Sequence, residues 1–321
     1  MKKVKEEPEV YRIFVFALMG AVISGCAQLP NSSPSTDEAA TTERSESRTQ
    51  AQQTNADLAI IEPLEASRAR QTEIAQITAL LEGSQLNDEQ RAVAYYRRGI
   101  LYDQLGLPAL ALLNMNQVLE LDPRFFDAWH YSGIYYTQHG DYQRAYEAFD
   151  SVIELQPEHD FVYLNRGLAS YYDRQFDLAL NDFADFYFQD PSDPYRILWY
   201  YLSAREVNEQ RALEQLTSHR SDVVNHPWGR VLIDYFLGRV SEQVVMNAAF
   251  EGIETHRELL ERLCEAYFYL GKSAAIEGDR ERAMNFYKLA LMTNIYDFIE
   301  YRVARTELYL LRDQESSAQG G

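Results

Sequence analysis

The sequence predicts an all-α fold: a solenoid of stacked helix pairs with a capping helix at each end. Three observations carry that expectation. Gly99, Gly133 and Gly167 recur every 34 residues, and Pro123, Pro157 and Pro191 keep the same spacing. Between them, matching residue types recur in register: Tyr95, Trp129 and Tyr163; Ala111, Ala145 and Ala179; Met115, Phe149 and Phe183; Val118, Val152 and Phe186. The chain of 321 residues is also 46% hydrophobic and carries 23 Tyr and 15 Phe against only 15 Gly and 10 Pro, a balance that suits packed helices better than a loop-rich fold.

Each column has a physical reason. The glycine lets the first helix of a pair (helix A) approach the second (helix B) closely, and the alanine does the same from helix B. The aromatics fill the space between adjacent pairs. The proline ends helix B, because it lacks an N–H and disfavours helix in the residue before it. Gly106 and Gly140 supply the turn between A and B, where the third copy has Arg174. This pattern resembles the tetratricopeptide repeat (TPR). Two departures are Arg98, where leucine is usual, and Ser170, where tyrosine is usual. A fourth copy lies downstream, with Tyr267, Leu270, Gly271, Gly278, Ala283, Tyr287 and Ala290 in the matching columns and Ile295 in place of the closing proline.

The pattern divides the chain into a signal peptide over 1–25, a lipidated cysteine and disordered tether over 26–56, and an N-terminal helical segment over 57–91. Three tandem repeats over 92–193 follow, then degenerate helical repeats over 194–263, a fourth repeat over 264–297, and a C-terminal helix with a disordered tail over 298–321. In the degenerate block, Tyr195–Glu206, Glu209–Thr217, Gly229–Leu237 and Ser241–Phe250 read as four helices. An N-terminal helix over about Leu64–Leu81 places Ile74, Ile77, Leu80 and Leu81 on one face. Asn87 and Gln90 read as a capping box for the first repeat, and a last helix over about Phe298–Leu311 closes the other end, as solenoids require.

The N-terminus reads as an address. Lys2, Lys3, Lys5 and Arg12 precede an apolar run from Ile13 to Ile23, too short to span a bilayer comfortably. The run ends in Ile23-Ser24-Gly25-Cys26, which looks like a lipobox. Its small residues let the chain enter a peptidase site, and the Cys26 thiol takes the diacylglyceryl group. Ala27 follows rather than Asp, which by resemblance to Gram-negative lipoproteins implies sorting to the outer membrane. Glu6, Glu7 and Glu9 dilute the basic region, so translation starting further downstream remains open. Residues 27–56 have no apolar periodicity and read as a flexible tether. Cys26→Ser is expected to release the protein from the membrane fraction or leave the signal uncleaved; wild-type protein with no acyl mass by intact-mass analysis would contradict lipidation.

The formal net charge is -19, and removing residues 1–25 leaves it nearly unchanged. Such a chain repels phosphate backbones and anionic membrane surfaces, which argues against nucleic-acid binding. Two cysteines, one of them lipidated, exclude a disulfide framework, and Cys264, in an apolar run, reads as a buried small hydrophobe. The six histidines, at 130, 139, 159, 219, 226 and 256, form no metal spacing. Gly271-Lys272-Ser273 has Ala266 where a phosphate loop needs its first glycine, and it lies inside a repeat helix. No Gly-x-Ser-x-Gly elbow is present. The expectation is therefore no catalytic residue, no metal and no cofactor.

In such solenoids the A helices line the concave face. By the repeat geometry this face includes Tyr96, Ile100, Asp103 and Gln104 from the first repeat. The second gives Asp127, His130, Ile134 and Gln138, and the third Phe161, Leu164, Leu168, Tyr171 and Tyr172. Repeats that clamp a C-terminal carboxylate carry Lys and Asn at the fifth and ninth positions, which here hold Tyr96, His130, Leu164 and Ile100, Ile134, Leu168. The mixed apolar and aromatic groove suits a helix or an apolar segment of a partner protein. A second possibility is that the protein's own helices or a second subunit cover these side chains.

Arg98-Gly99-Ile100-Leu101-Tyr102-Asp103, Ala145-Tyr146-Glu147-Ala148-Phe149-Asp150-Ser151-Val152, Leu164-Asn165-Arg166-Gly167 and Phe268-Tyr269-Leu270-Gly271-Lys272, together with the lipobox, resemble the NlpI family of outer-membrane lipoproteins. The resemblance covers nearly all of 57–312 and is weakest in the middle block. It implies an all-helical homodimer anchored by lipid and facing the periplasm. It also implies an adaptor that links a tail-specific protease to a peptidoglycan endopeptidase and, more broadly, scaffolds peptidoglycan hydrolases and synthases in cell elongation and division. The alternative is a lipoprotein scaffold for outer-membrane protein or pilus secretin assembly.

Overall fold

Fourteen α-helices and no strand make up the described part of the chain; the computed structural model describes residues 62–83 and 85–319, with side chains as far as Asp313. The expected signal peptide, Cys26 and the tether lie outside the described residues. Helix α1 spans Arg68–Gly83 and begins later than the periodicity suggests. Residues 62–67 form no helix and are tied to distant parts of the chain through their backbone. Leu64 N–H donates to the Thr293 carbonyl at 3.1 Å, and His256 Nε2 meets the Glu62 carbonyl at 2.9 Å.

Six helix pairs follow. They are α2 (Asp88–Asp103) with α3 (Pro108–Leu121), α4 (Phe126–Gln138) with α5 (Tyr142–Leu155), and α6 (Val162–Tyr172) with α7 (Phe176–Gln189). The block with the worn pattern forms α8 (Pro194–Val207) with α9 (Glu209–His219) and α10 (Pro227–Phe236) with α11 (Glu242–Ala249). The sixth pair is α12 (His256–Ile276) with α13 (Arg280–Met292), and α14 (Ile299–Gln319) ends the solenoid.

Local chemistry sets these boundaries. Asn87 and Gln90 form the reciprocal capping box, with Gln90 N–H donating to Asn87 Oδ1 at 2.8 Å and Asn87 N–H to Gln90 Oε1 at 3.1 Å. Asp141 and Asp279 cap α5 and α13 directly after Gly140 and Gly278, whose left-handed φ values of 72° and 79° turn the chain. Arg174 adopts the same conformation at φ 59° without a glycine. The last helix runs on to Gln319 rather than giving way to a disordered tail from about Gln314. Gln314, Glu315, Ala318 and Gln319 are good helix formers, and no glycine comes before Gly320.

The glycine column works as packing. A Cβ on Gly133 would stand 2.6 Å from the Phe149 ring, and one on Gly271 2.6 Å from the Tyr287 ring. Phe149, Phe183 and Tyr287 are fully buried as a result, each sealing its own A helix against its B helix. Burial of each phenylalanine stabilises the fold by roughly 1.5–3 kcal/mol. Trp199 carries the core through the middle block, its ring 5.9 Å from Phe183 and 5.6 Å from Phe268. The two departures from the pattern have partners. Arg98 reaches Asn114 at 2.8 Å and Thr78 at 3.1 Å, tying α1 to the first pair. Ser170 is buried, and its hydroxyl hydrogen-bonds with that of Tyr146. Cys264 is a free, fully buried thiol, as its apolar run implies.

Candidate partner-binding site

The A helices converge on one face, and the chain's own C-terminal helix is seated there. Helix α14 packs on α13 and α12 in the position of a seventh A helix, and it also meets α4 of the second pair. Three polar clasps fix it. Arg302 pairs with Asp103 at the end of α2, Arg305 donates to Gln138 at the end of α4, and Glu307 accepts from Tyr172 at the end of α6 at 2.8 Å. Glu307 also pairs with Lys272 of α12 at 2.7 Å, and Lys272 lies over the Tyr171 ring at 4.8 Å. Val303, Ala304, Thr306 and Leu308 are buried between these clasps.

The sequence-derived groove positions are therefore brought together, but they do not line an open cleft. Asp103, Gln138, Tyr171 and Tyr172 are engaged by α14 or by the Lys272 beneath it. His130, Leu164 and Leu168 are buried, and Ile134 packs against the Phe149 core. Of the two readings left by the sequence, coverage by the protein's own helix describes Asp103, Gln138 and Tyr172. The physical reason is curvature: six pairs wind far enough to bring the final helix back across the first three. Tyr96, Ile100 and Gln104 stay half-buried on the first pair, with Tyr96 4.9 Å from the Phe125 ring.

Beside α14 the concave face holds a polar aromatic cluster. His130 and His159 rings lie 4.3 Å apart, His159 stands 3.9 Å from Asp127, and the Asn165 amide meets His130 Nε2 at 3.0 Å. Burial, then the neighbouring His159, hold His130 well below the usual histidine range, so it is neutral at pH 7. Burial also pushes Asp127 up to about 6. Among the described residues no group of His, Cys, Asp or Glu is arranged to hold a metal ion, and no helix is long and apolar enough to cross a membrane.

A family model for the tetratricopeptide repeat matches residues 84–125, which contain the capping box, α2 and α3. The chain contains a tetratricopeptide repeat over this segment. The full helix-pair architecture agrees with that assignment well beyond the matched segment. Solved structures with similar folds include MamA 41-end from Desulfovibrio magneticus RS-1, 17% identical, covering 57% of this chain and 96% of that one at a TM-score of 0.43. YrrB, described as a TPR protein with an unusual peptide-binding site, is 15% identical and covers 77% and 100% at 0.40. PilF of Pseudomonas aeruginosa is 17% identical and covers 75% and 99% at 0.38. TPR pairs stacked in this way make a protein–protein interaction scaffold.

The residues that sequence reasoning missed are those that hold the last helix: Lys272, Glu307, Arg302, Arg305 and the buried carboxylates Glu265 and Glu300. One signal was present. Lys272 and Glu307 are 35 residues apart, as are Glu265 and Glu300, close to one repeat length. That spacing marks Phe298–Leu311 as another A helix, whose inward face carries charge where the repeat pattern expects small or apolar residues.

Proposed function

We propose that this protein is a lipid-anchored, non-catalytic adaptor on the periplasmic side of the outer membrane. It binds other proteins through its repeats. Following the resemblance to the NlpI family, the partners are a tail-specific protease and peptidoglycan hydrolases and synthases, and the adaptor works as a homodimer that regulates cell-wall hydrolysis. The observation that carries the reading is the concave A-helix face, aromatic and polar, which already accommodates an α-helix of the chain itself. A surface that seats one amphipathic helix through buried apolar residues and polar clasps has the chemistry to recognise helical or apolar segments of partners. The lipobox supports the anchoring, and the absence of any nucleophile–base pair in the sequence supports a binding role.

Capture from detergent-solubilised membranes, read by mass spectrometry, tests the proposal. A protease and a peptidoglycan endopeptidase should co-purify; barrel-assembly or secretin components in their place would favour the alternative scaffold. Ile134→Glu is a poor probe, because it would place a charge against the Phe149 core. The variant Gln104→Lys alters the first pair at a half-buried position. It should keep the helical circular dichroism and weaken capture about tenfold, the scale of one interface anchor. Unchanged capture would move binding off the concave face. Purified protein that hydrolyses peptidoglycan, with the activity following it through every column, would contradict the non-catalytic reading.

A further inference from the structure

Helix α14 is fastened to α12 at two levels seven residues apart. At the lower level the groups are opposite in charge, Lys272 with Glu307. At the upper level they are alike. Glu265 of α12 is 4% exposed and Glu300 of α14 is fully buried. Glu265 Oε2 accepts from the Tyr195 hydroxyl at 2.7 Å and from Trp228 Nε1 at 2.6 Å. Glu300 Oε1 accepts from the Tyr269 hydroxyl at 3.3 Å, and its Oε2 has no hydrogen-bond partner among the described residues. The groups facing this compartment are Cys264, Glu265 and Tyr269 of α12, Tyr195 of α8 and Trp228 of α10, with Glu261, Asp193 and Asp297 further out. Among the described residues no Lys, Arg or His forms an ion pair with either carboxylate.

Two ionised carboxylates that form no ion pair with a cation among the described residues cannot share so dry a compartment at small cost, so the docked helix retains a proton there. An unpartnered Oε2 is where that proton can sit. We propose that Glu265 and Glu300 form a proton-operated latch: with the proton in place α14 stays seated in the concave face, and loss of the proton favours its release. Release would free Asp103, Gln138 and Tyr172 together, since each is held by a side chain of α14.

Burial, then the charge of Glu265, push Glu300 up to about 8 from an ordinary value of 4.5. A raised value means that the seated state binds the proton more tightly than the released state. Seating is therefore strongest at low pH, weakens as pH rises from about 4.5 to about 8, and is level above that. Only the consequence for partner access rests on the adaptor reading; the latch itself does not.

Cys264 reports the latch. It is fully buried, adjacent to Glu265, and close enough to Glu300 for that charge to raise its thiol along with burial. The chain has two cysteines, so on a Cys26→Ser background Cys264 is the single thiol. Its labelling rate by an aromatic disulfide reagent, divided by the rate for the unfolded chain at the same pH, gives the fraction open. That fraction should rise by up to about tenfold per pH unit between pH 6 and 8 and flatten above pH 8. Glu300→Gln should remove the slope. A flat wild-type profile, or a Glu300→Gln profile with the wild-type slope, overturns the latch. If Glu300→Gln does not fold, hydrogen exchange of the 299–311 amides in the wild-type background, corrected for intrinsic rates, must show the same slope, and its absence overturns the proposal. Neither measurement involves a partner, so a failed latch leaves the adaptor reading standing, and failed capture leaves the latch standing.

Discussion

Lys272→Ala is expected to destabilise the protein by about 3–5 kcal/mol, the usual cost of removing one member of a buried ion pair. The lysine and Glu307 side chains are 6% and 12% exposed, so the carboxylate left behind has little water to turn to. For a chain of this length the melting temperature should fall by roughly 6–20 °C, at 2–4 °C per kcal/mol. The charge pair as such is not the main source of stability. Replacing both members with neutral residues, Lys272→Met with Glu307→Gln, should recover most of the loss, because no uncompensated charge remains. A fall of under about 2 °C for the single variant would mean that α14 is not held over Lys272.

Gly133→Leu is expected to be the second large effect. A Cβ at this position meets the Phe149 ring at 2.6–2.9 Å, and Phe149 is fully enclosed by its pair. Overpacking of this kind costs about 1–3 kcal/mol, and more where the neighbour cannot move. Phe149→Ala alone leaves a cavity and should cost about 3–5 kcal/mol. The double variant places the leucine in the space the ring vacates, so its cost should fall below the sum of the single variants by about 1 kcal/mol or more. Thermal unfolding of the three variants measures this directly. Additive costs would show that the repeat register, with Gly133 facing Phe149, is wrong.

Most of the scaffold is legible in the sequence because each repeat is a local unit. A glycine facing an aromatic sixteen residues on, a turn residue and a cap lie within one helix pair, and the period copies them along the chain. The middle block keeps this logic with different residues: Trp199 takes the core role without the glycine column. Its four helices were legible from periodicity within about two residues at each end. The start of α1 was not, because residues 62–67 are held by Thr293, Asn294 and His256, nearly 200 residues or more away. The candidate site was half legible. Its inward positions follow from the repeat, but their occupant depends on how far six pairs curve, and no single pair encodes that. Arg302 and Arg305 look like ordinary surface charges on an amphipathic helix until the superhelix brings Asp103 and Gln138 to meet them.

The central claim is that α14 closes the concave face against the first pairs. A double-mutant cycle on Asp103 and Arg302 tests it most directly, because these residues lie 199 positions apart and meet only if the solenoid winds back on itself. Their side chains are 17% and 16% exposed, so the pair is shielded from solvent but not sealed. Asp103→Ala, Arg302→Ala and the double variant, measured by chemical denaturation, should give a coupling of about 1–3 kcal/mol between the two sites. Costs that add to within about 0.5 kcal/mol would show that the two residues do not touch and that α14 lies elsewhere.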